Sequence, residues 1–254
     1  MAKAIAVFNQ KGGVGKTTTN INLAAALSMK GHRVLIIDID PQGNATSGMG
    51  LDKNSLKKSI YDCLIEDEDA NDVILATSFQ NVWVLPANAD LAGAEIELAN
   101  IDHREFRLKK VIDNLKGDYD FMLIDCPPSL GLLTINALTL AQTVLIPIQC
   151  EYYALEGVGQ LINTITLVKR GLNKALDVEG VILTMFDSRT NLSNQVVDEV
   201  VSYFKGKVYQ TTIPRNVRLA EAPSYGQSIF EYAENSKGAK AYLDLAEEFL
   251  NRQE

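Results

Sequence analysis

Residues 10–19 read Gln-Lys-Gly-Gly-Val-Gly-Lys-Thr-Thr-Thr and follow the apolar run Ala4-Ile5-Ala6-Val7-Phe8 with only Asn9 between. Glycines let the backbone curl so that successive N–H groups converge on phosphate oxygens. A lysine closing such a loop reaches the β- and γ-phosphates, and the next hydroxyl takes one position on Mg²⁺. Lys16 and Thr17 stand in those two places with Thr18 beside them, and Gly12, Gly13, Val14 and Gly15 form the cradle. A helix expected from about residue 16 to 30 adds the positive end of its dipole. This is the chemistry of nucleoside triphosphate binding. The loop departs from the pattern G-x-x-x-x-G-K-[ST], because Gln10 stands where the first glycine belongs. A second lysine, Lys11, opens it instead. Elsewhere it would be an ordinary solvated cation; at the mouth of a phosphate site it is a candidate for function.

Two further acidic elements belong to the same chemistry. Asp125 ends the apolar run Phe121-Met122-Leu123-Ile124, which puts a carboxylate at a strand end near Mg²⁺ or a water on it. The segment Asp38-Ile39-Asp40-Pro41-Gln42-Gly43-Asn44 follows another apolar run. Strand alternation puts Asp38 and Asp40 on one side, where one acid can orient a water or hold the metal shell. The turn formers Pro41 and Gly43 explain the bend but not the two acids. No arginine lies in these motifs, although an arginine at the transition state is worth about 10³–10⁵ in rate. Hydrolysis by this set alone is therefore expected to be slow, with Lys11 the nearest candidate cation. Pro214-Arg215-Asn216 follows a strand-like run; the Asn216 amide suits the donor–acceptor edge of adenine, or the segment is a simple turn.

These residues need a frame that brings them together. Apolar runs at 4–8, 34–37, 82–85, 121–124, 144–148, 178–185 and 209–213 read as buried strands. Between them lie helical stripes: Phe106, Leu108, Val111, Ile112 and Leu115; Leu155, Val158, Leu161, Ile162, Ile165 and Val168; Leu192, Val196, Val200 and Phe204; and Ala239, Tyr242, Leu243, Ala246, Phe249 and Leu250. The expectation is one α/β domain over residues 1–254, a mainly parallel twisted sheet with helices on both faces. Ligands of such sheets bind beyond the C-terminal strand ends. The loop, Asp38, Asp40, Asp125, Gln149-Cys150-Glu151 and Pro214-Arg215-Asn216 all fall there.

Composition narrows the class. An apolar fraction of 46% suffices for a substantial core. With 24 Lys and Arg against 32 Asp and Glu, the net charge is −8, so any nucleic-acid contact must come from a local basic patch. Cys63, Cys126 and Cys150 are widely spaced and odd in number, which fits a reducing cytosol and neither a disulfide framework nor a zinc site. No stretch approaches the roughly 18 apolar residues of a membrane span.

The run Lys11-Gly12-Gly13-Val14-Gly15-Lys16-Thr17-Thr18 resembles the deviant Walker A motif of the ParA/MinD group of ATPases, and the similarity to its chromosomal ParA (Soj) branch runs over nearly the whole chain. The resemblance implies ATP and Mg²⁺ as cofactors and an ATP-bound sandwich dimer, with Lys11 crossing to the partner's phosphates. It assigns Asp40 to the attacking water, Asp38, Thr17 and Asp125 to the metal side, and Pro214 and Asn216 to adenine. It implies non-specific DNA binding through Arg189 and Arg218, with Lys237 and Lys240 as weaker additions. Gln227 and Phe230 are uncharged where relatives often carry bases, so a small patch is expected. A ParB-type partner would stimulate hydrolysis, and some of the branch also act on replication initiation. The expected place is the cytoplasm, on the nucleoid. The membrane-binding branch ends in a basic amphipathic helix, whereas this chain ends Glu247-Glu248-Phe249-Leu250-Asn251-Arg252-Gln253-Glu254, which opposes an anionic leaflet. Nor do the cysteines suit the bridging cluster of the nitrogenase iron protein. With the loop at residue 10, the N-terminal helix-turn-helix of plasmid relatives that repress their own operon is not expected here. The alternative is a metabolic ATP-dependent ligase or kinase on the same fold, with no DNA role.

Overall fold

The computed structural model describes residues 2–151 and 157–253; Leu155 of the expected helical stripe and the terminal Glu254 lie outside them. The strands are β1 Lys3–Val7, β2 Val34–Asp38, β3 Leu75–Ala76, β4 Val82–Leu85, β5 Phe121–Asp125, β6 Thr143–Gln149 and β7 Asp177–Thr184. They form one seven-stranded sheet in the order β3-β4-β2-β5-β1-β6-β7. Every pairing is parallel except that of the short β3 with β4.

The helices are α1 Lys16–Met29, α2 Asn44–Gly48, α3 Ile60–Ile65, α4 Ala70–Val73, α5 Leu91–Leu98, α6 Arg107–Asp113, α7 Leu132–Leu140, α8 Val158–Gly171, α9 Asn191–Phe204, α10 Val217–Glu221, α11 Ile229–Ala233 and α12 Lys237–Asn251. The pleat sorts the central strands onto two cores. Ala4, Ala6, Leu35, Ile37, Met122 and Ile124 point to one face, where residues of α3 and α5–α9 cover them. Ile5, Val7, Val34, Ile36, Phe121 and Leu123 point to the other, under α1 and α12. Strands apolar on both faces are what a doubly covered parallel sheet requires.

In α12, Ala239, Tyr242, Ala246 and Phe249 are buried as the stripe predicts, and Tyr242 meets Thr19 of α1 through their hydroxyls at 3.2 Å. That apolar face is used inside the protein. Among the described residues no helix is long and apolar enough to cross a membrane.

Three expectations are corrected. Residues 209–213 do not form a strand. They run beside β7 through separate contacts, Tyr209 N to Val181 O at 2.9 Å and Ile213 N to Leu183 O at 2.8 Å, with isolated bridges at Val181–Val208 and Phe186–Pro214. The seventh strand is instead β3, on the opposite edge. The helix expected over 104–115 breaks into a 3₁₀ turn at Arg104–Phe106 and then α6. Leu192, placed in the core by its spacing, is 40% exposed at the start of α9.

Candidate functional site

The sheet order puts the chemistry in one place. β5 lies between β1 and β2, with Val7 level with Asp125 and Asp125 level with Asp38. The glycine loop leaves β1, so it emerges beside both acids. Gly13 and Gly15 have φ of 75° and 91°, where a Cβ costs roughly 1–2 kcal/mol. An added Cβ at Gly12 or Gly13 would meet nothing within 4 Å, so the rim of the cradle is open to a ligand.

The two lysines face different ways. Lys16 is 7% exposed, and its Nζ donates to Lys11 O at 3.0 Å across the loop. Burial lowers its pKa, against the opposing pull of Asp125, Cys126 and Asp40. Lys11 has a side chain 41% exposed and forms an ion pair with Glu151, just past the end of β6. Glu151 was seen from sequence as a polar residue at a strand end; its pairing with Lys11 was not. The backbone of Lys11 is held by Asn9, whose Oδ1 accepts from Lys11 N at 3.0 Å while its amide donates to Pro147 O at 2.8 Å.

The acids are held tightly. Asp125 is fully buried; its Oδ2 accepts from the Thr17 hydroxyl at 2.8 Å and its Oδ1 from Asn20 Nδ2 at 2.8 Å. Asp38, also fully buried, accepts from Thr46 N at 2.8 Å and Thr46 Oγ1 at 2.7 Å on one oxygen, and from Asp40 N at 3.2 Å on the other. Each oxygen of these two metal-side candidates thus already has a protein donor. Asp38 shapes the turn that carries Asp40, and Asp125 aims the Thr17 hydroxyl. Asp40 accepts from Gln42 N at 2.9 Å through one oxygen. Burial pushes Asp38 up to about 6. Burial and the neighbouring Asp38 carboxylate raise Asp125 well above the usual carboxylate range. Two buried acids side by side ask for a cation. Open backbone donors, an inward lysine, a hydroxyl and these acids together fit a magnesium-bound triphosphate.

Beside the loop lies a cavity of about 310 Å³, lined by Gly15, Thr184, Met185, Pro214, Asn216 and Tyr242 among others. Its position and apolar walls suit a base. Asn216 has a structural task there, since its Oδ1 accepts from Arg218 N at 2.9 Å and caps α10. Pro214 is bridged to Phe186 and Asn216 caps the helix that follows, so the segment is an extended lead into α10 and the capping bond occupies that oxygen.

The two arginines expected on DNA are both exposed and both paired within the chain. Arg189, with a side chain 86% exposed, forks onto Asp187 at 2.9 and 2.7 Å. Arg218 Nη1 donates to Glu221 at 2.9 Å, and its guanidinium lies 6.0 Å from the Tyr232 ring centre. Lys237 and Lys240 border a shallow groove shared with Asp244, Glu247 and Glu248. The local field is thus mixed. Cys63, Cys126 and Cys150 are free and buried.

A glycine cradle on the central strand of a parallel sheet, with an acid closing the adjacent strand, defines a P-loop nucleotide hydrolase. The AAA domain family matches residues 2–178. The chain is 59% identical over 248 residues to the sporulation initiation inhibitor protein Soj of Bacillus subtilis, covering 98% of each. It is 53% identical to the chromosome partitioning protein ParA of Myxococcus xanthus, covering 99% of this chain and 89% of that one. A solved structure described as cobyrinic acid a,c-diamide synthase from Mycobacterium smegmatis, with bound ADP and magnesium, superposes with a TM-score of 0.88 at 40% identity; it covers 100% of this chain and 96% of that chain. The protein belongs to the Soj/ParA family of chromosome-partitioning ATPases.

Proposed function

We propose that this protein is a partition ATPase whose ATP- and Mg²⁺-bound form is a sandwich dimer that holds DNA without sequence preference. The observation that carries this reading is the division of labour between the two loop lysines. Lys16 is turned into its own loop, whereas Lys11 stands at the rim, held by a partly exposed ion pair. A cation so placed is available to the triphosphate of a second subunit.

In this reading the loop N–H groups and Lys16 bind the β- and γ-phosphates. Thr17, oriented by Asp125, would hold Mg²⁺ through its hydroxyl oxygen, and the ion would supply neutralising charge at the phosphates. Asp38 holds the turn through Thr46, and Asp40 orients the attacking water. Pro214 and Asn216 border the base. Lys11 leaves Glu151 and neutralises charge on the partner's phosphates. With no arginine in the set, turnover is slow until a ParB-type protein stimulates it, after which the subunits separate and leave the DNA. A link to replication initiation belongs to the same reading, as does a cytoplasmic, nucleoid-associated location. Residues 1–254 act as one domain.

Arg189 and Arg218 are the DNA contacts. The arginines are exposed and their carboxylate partners partly so, and ion pairs at the surface contribute little, so DNA phosphate displaces them at small cost. Dimerisation doubles the patch. Each neutralised phosphate adds about −0.9 to the salt slope, so binding fades quickly as salt rises.

A second reading, an ATP-dependent amide-forming enzyme, has the name of the M. smegmatis structure behind it. Burial pushes the thiol of Cys63 up to about 12 and that of Cys150 to about 11, and that of Cys126 well above its usual range. None is a ready thiolate for releasing ammonia from an amide donor. DNA retention with ATP against ADP, in wild type and in Arg189→Glu, separates the readings. ATP-dependent retention that weakens in the variant supports partition; retention indifferent to nucleotide, or none, overturns it.

A further inference from the structure

Asn20 occupies an expensive position. It sits inside α1, fully buried, where alanine would favour the helix more and bury no amide. Its Oδ1 has no hydrogen-bond donor among the described residues. Its Nδ2 donates to Lys16 O, one turn back, at 3.3 Å, and to Asp125 Oδ1 at 2.8 Å. The shorter of these two bonds is the one that leaves the helix. An asparagine kept in a core with its carbonyl unmatched calls for an account beyond packing.

The carboxylate it grips is the one that aims Thr17. Asp125 can rotate about its side chain unless both oxygens are held. Asn20 holds Oδ1, which leaves Oδ2 turned to the Thr17 hydroxyl. With its proton given to Asp125, the Thr17 oxygen keeps its lone pairs for a cation. We infer that Asn20 is a positioning residue of the magnesium site, locking Asp125 so that Thr17 presents its oxygen to the metal of the bound nucleotide. The inference rests on the Mg²⁺–ATP reading above and adds a residue that no loop motif contains.

The test measures metal affinity rather than turnover. A fluorescent ATP analogue is bound to the full chain while Mg²⁺ is titrated, and again in excess chelator, for wild type, Asn20→Ala and Asn20→Asp. Loss of such an outer-shell partner costs about 10- to 100-fold in metal affinity. Asn20→Ala should therefore need about 10- to 100-fold more Mg²⁺ for half-maximal binding. Its chelator-only affinity should stay within about twofold of wild type, because the loop donors and Lys16 are untouched. Asn20→Asp keeps the shape but sets an acceptor against Asp125, so its Mg²⁺ midpoint should shift at least as far; it carries the test if the alanine variant does not fold. An unchanged Mg²⁺ midpoint, or an equal loss of chelator-only binding, reduces Asn20 to a packing residue and overturns the inference. A wild-type protein whose binding ignores Mg²⁺ would instead bring down the reading beneath it.

Discussion

Glu151→Gln tests whether the ion pair on Lys11 restrains dimerisation. The two side chains are 41% and 36% exposed, which places the pair among exposed ion pairs worth about 0.2–1 kcal/mol. A symmetric dimer in which each Lys11 crosses to the partner's triphosphate breaks two such pairs. Removing the carboxylate should then favour the dimer by about 0.4–2 kcal/mol. At about 1.4 kcal/mol per decade, this is a dimer roughly 2- to 30-fold tighter. Glutamine keeps the shape, so packing is preserved. Sedimentation velocity over a concentration series, with Mg²⁺ and a non-hydrolysable ATP analogue, measures the dissociation constant. The gain should shrink as salt rises, because an exposed pair is screened within about 10 Å at 0.1 M. With ADP the variant and wild type should sediment alike. A variant dimer no tighter than wild type would refute the reasoning, because Lys11 would then not be exchanging Glu151 for phosphate.

Further outcomes are expected from the same geometry. Lys16→Ala removes the inward cation and should weaken ATP binding by about 2–5 kcal/mol, which isothermal titration measures; near-wild-type affinity would remove Lys16 from the phosphate site. Asp40→Ala should slow single-turnover hydrolysis by about 10²–10⁴ while ATP stays bound and the dimer persists on DNA; a monomer on a sizing column with ATP would contradict this. Without nucleotide, stability should fall as pH rises. The folded-state pKa of Asp38 is about 6 against an ordinary value of 3.8, so its contribution is complete below the ordinary value and lost as pH rises through about 6. Thermal melts of the nucleotide-free protein between pH 4 and 7 check the slope, and Mg²⁺ with nucleotide should flatten it.

Where the chain repeats a period, the fold was legible. The runs that became β1, β2, β4, β5 and β6 are apolar throughout because helices cover both faces, and that pattern survives in sequence; in β7 it is confined to Val181–Leu183. β3 is two residues long and has no period to read. Residues 209–213 carry a strand's composition but are paired at scattered points; Pro214 lacks the N–H that would extend a ladder. The short helices span too few residues for a stripe, yet two left a signal. Ser59 with Asp62 and Ser228 with Glu231 form capping boxes, a spacing that marks helix starts.

The site divides in the same way. Lys16, Thr17 and Asp125 converge because one motif follows β1 and the other ends the strand beside it. The partners that orient them are scattered: Thr46 on Asp38, Asn20 on Asp125, Glu151 on Lys11. Thr46 and Glu151 come from other elements and are brought in by packing, and Asn20, although on α1 three residues past Thr17, meets Asp125 only because β5 lies beside β1, so no spacing rule marks them. Arg189 and Arg218 are legible as cations, but their pairing with Asp187 and Glu221, two and three residues away, depends on the local backbone and shows only in the structure.

The claim on which the account turns is that Lys11 makes pairing depend on ATP. The direct measurement is the mass of the complex by light scattering, for wild type and Lys11→Ala, with Mg²⁺ and a non-hydrolysable ATP analogue. Wild type should be a dimer and Lys11→Ala a nucleotide-bound monomer. A dimer of equal stability in both, or a wild type that stays monomeric with analogue bound, would contradict the claim.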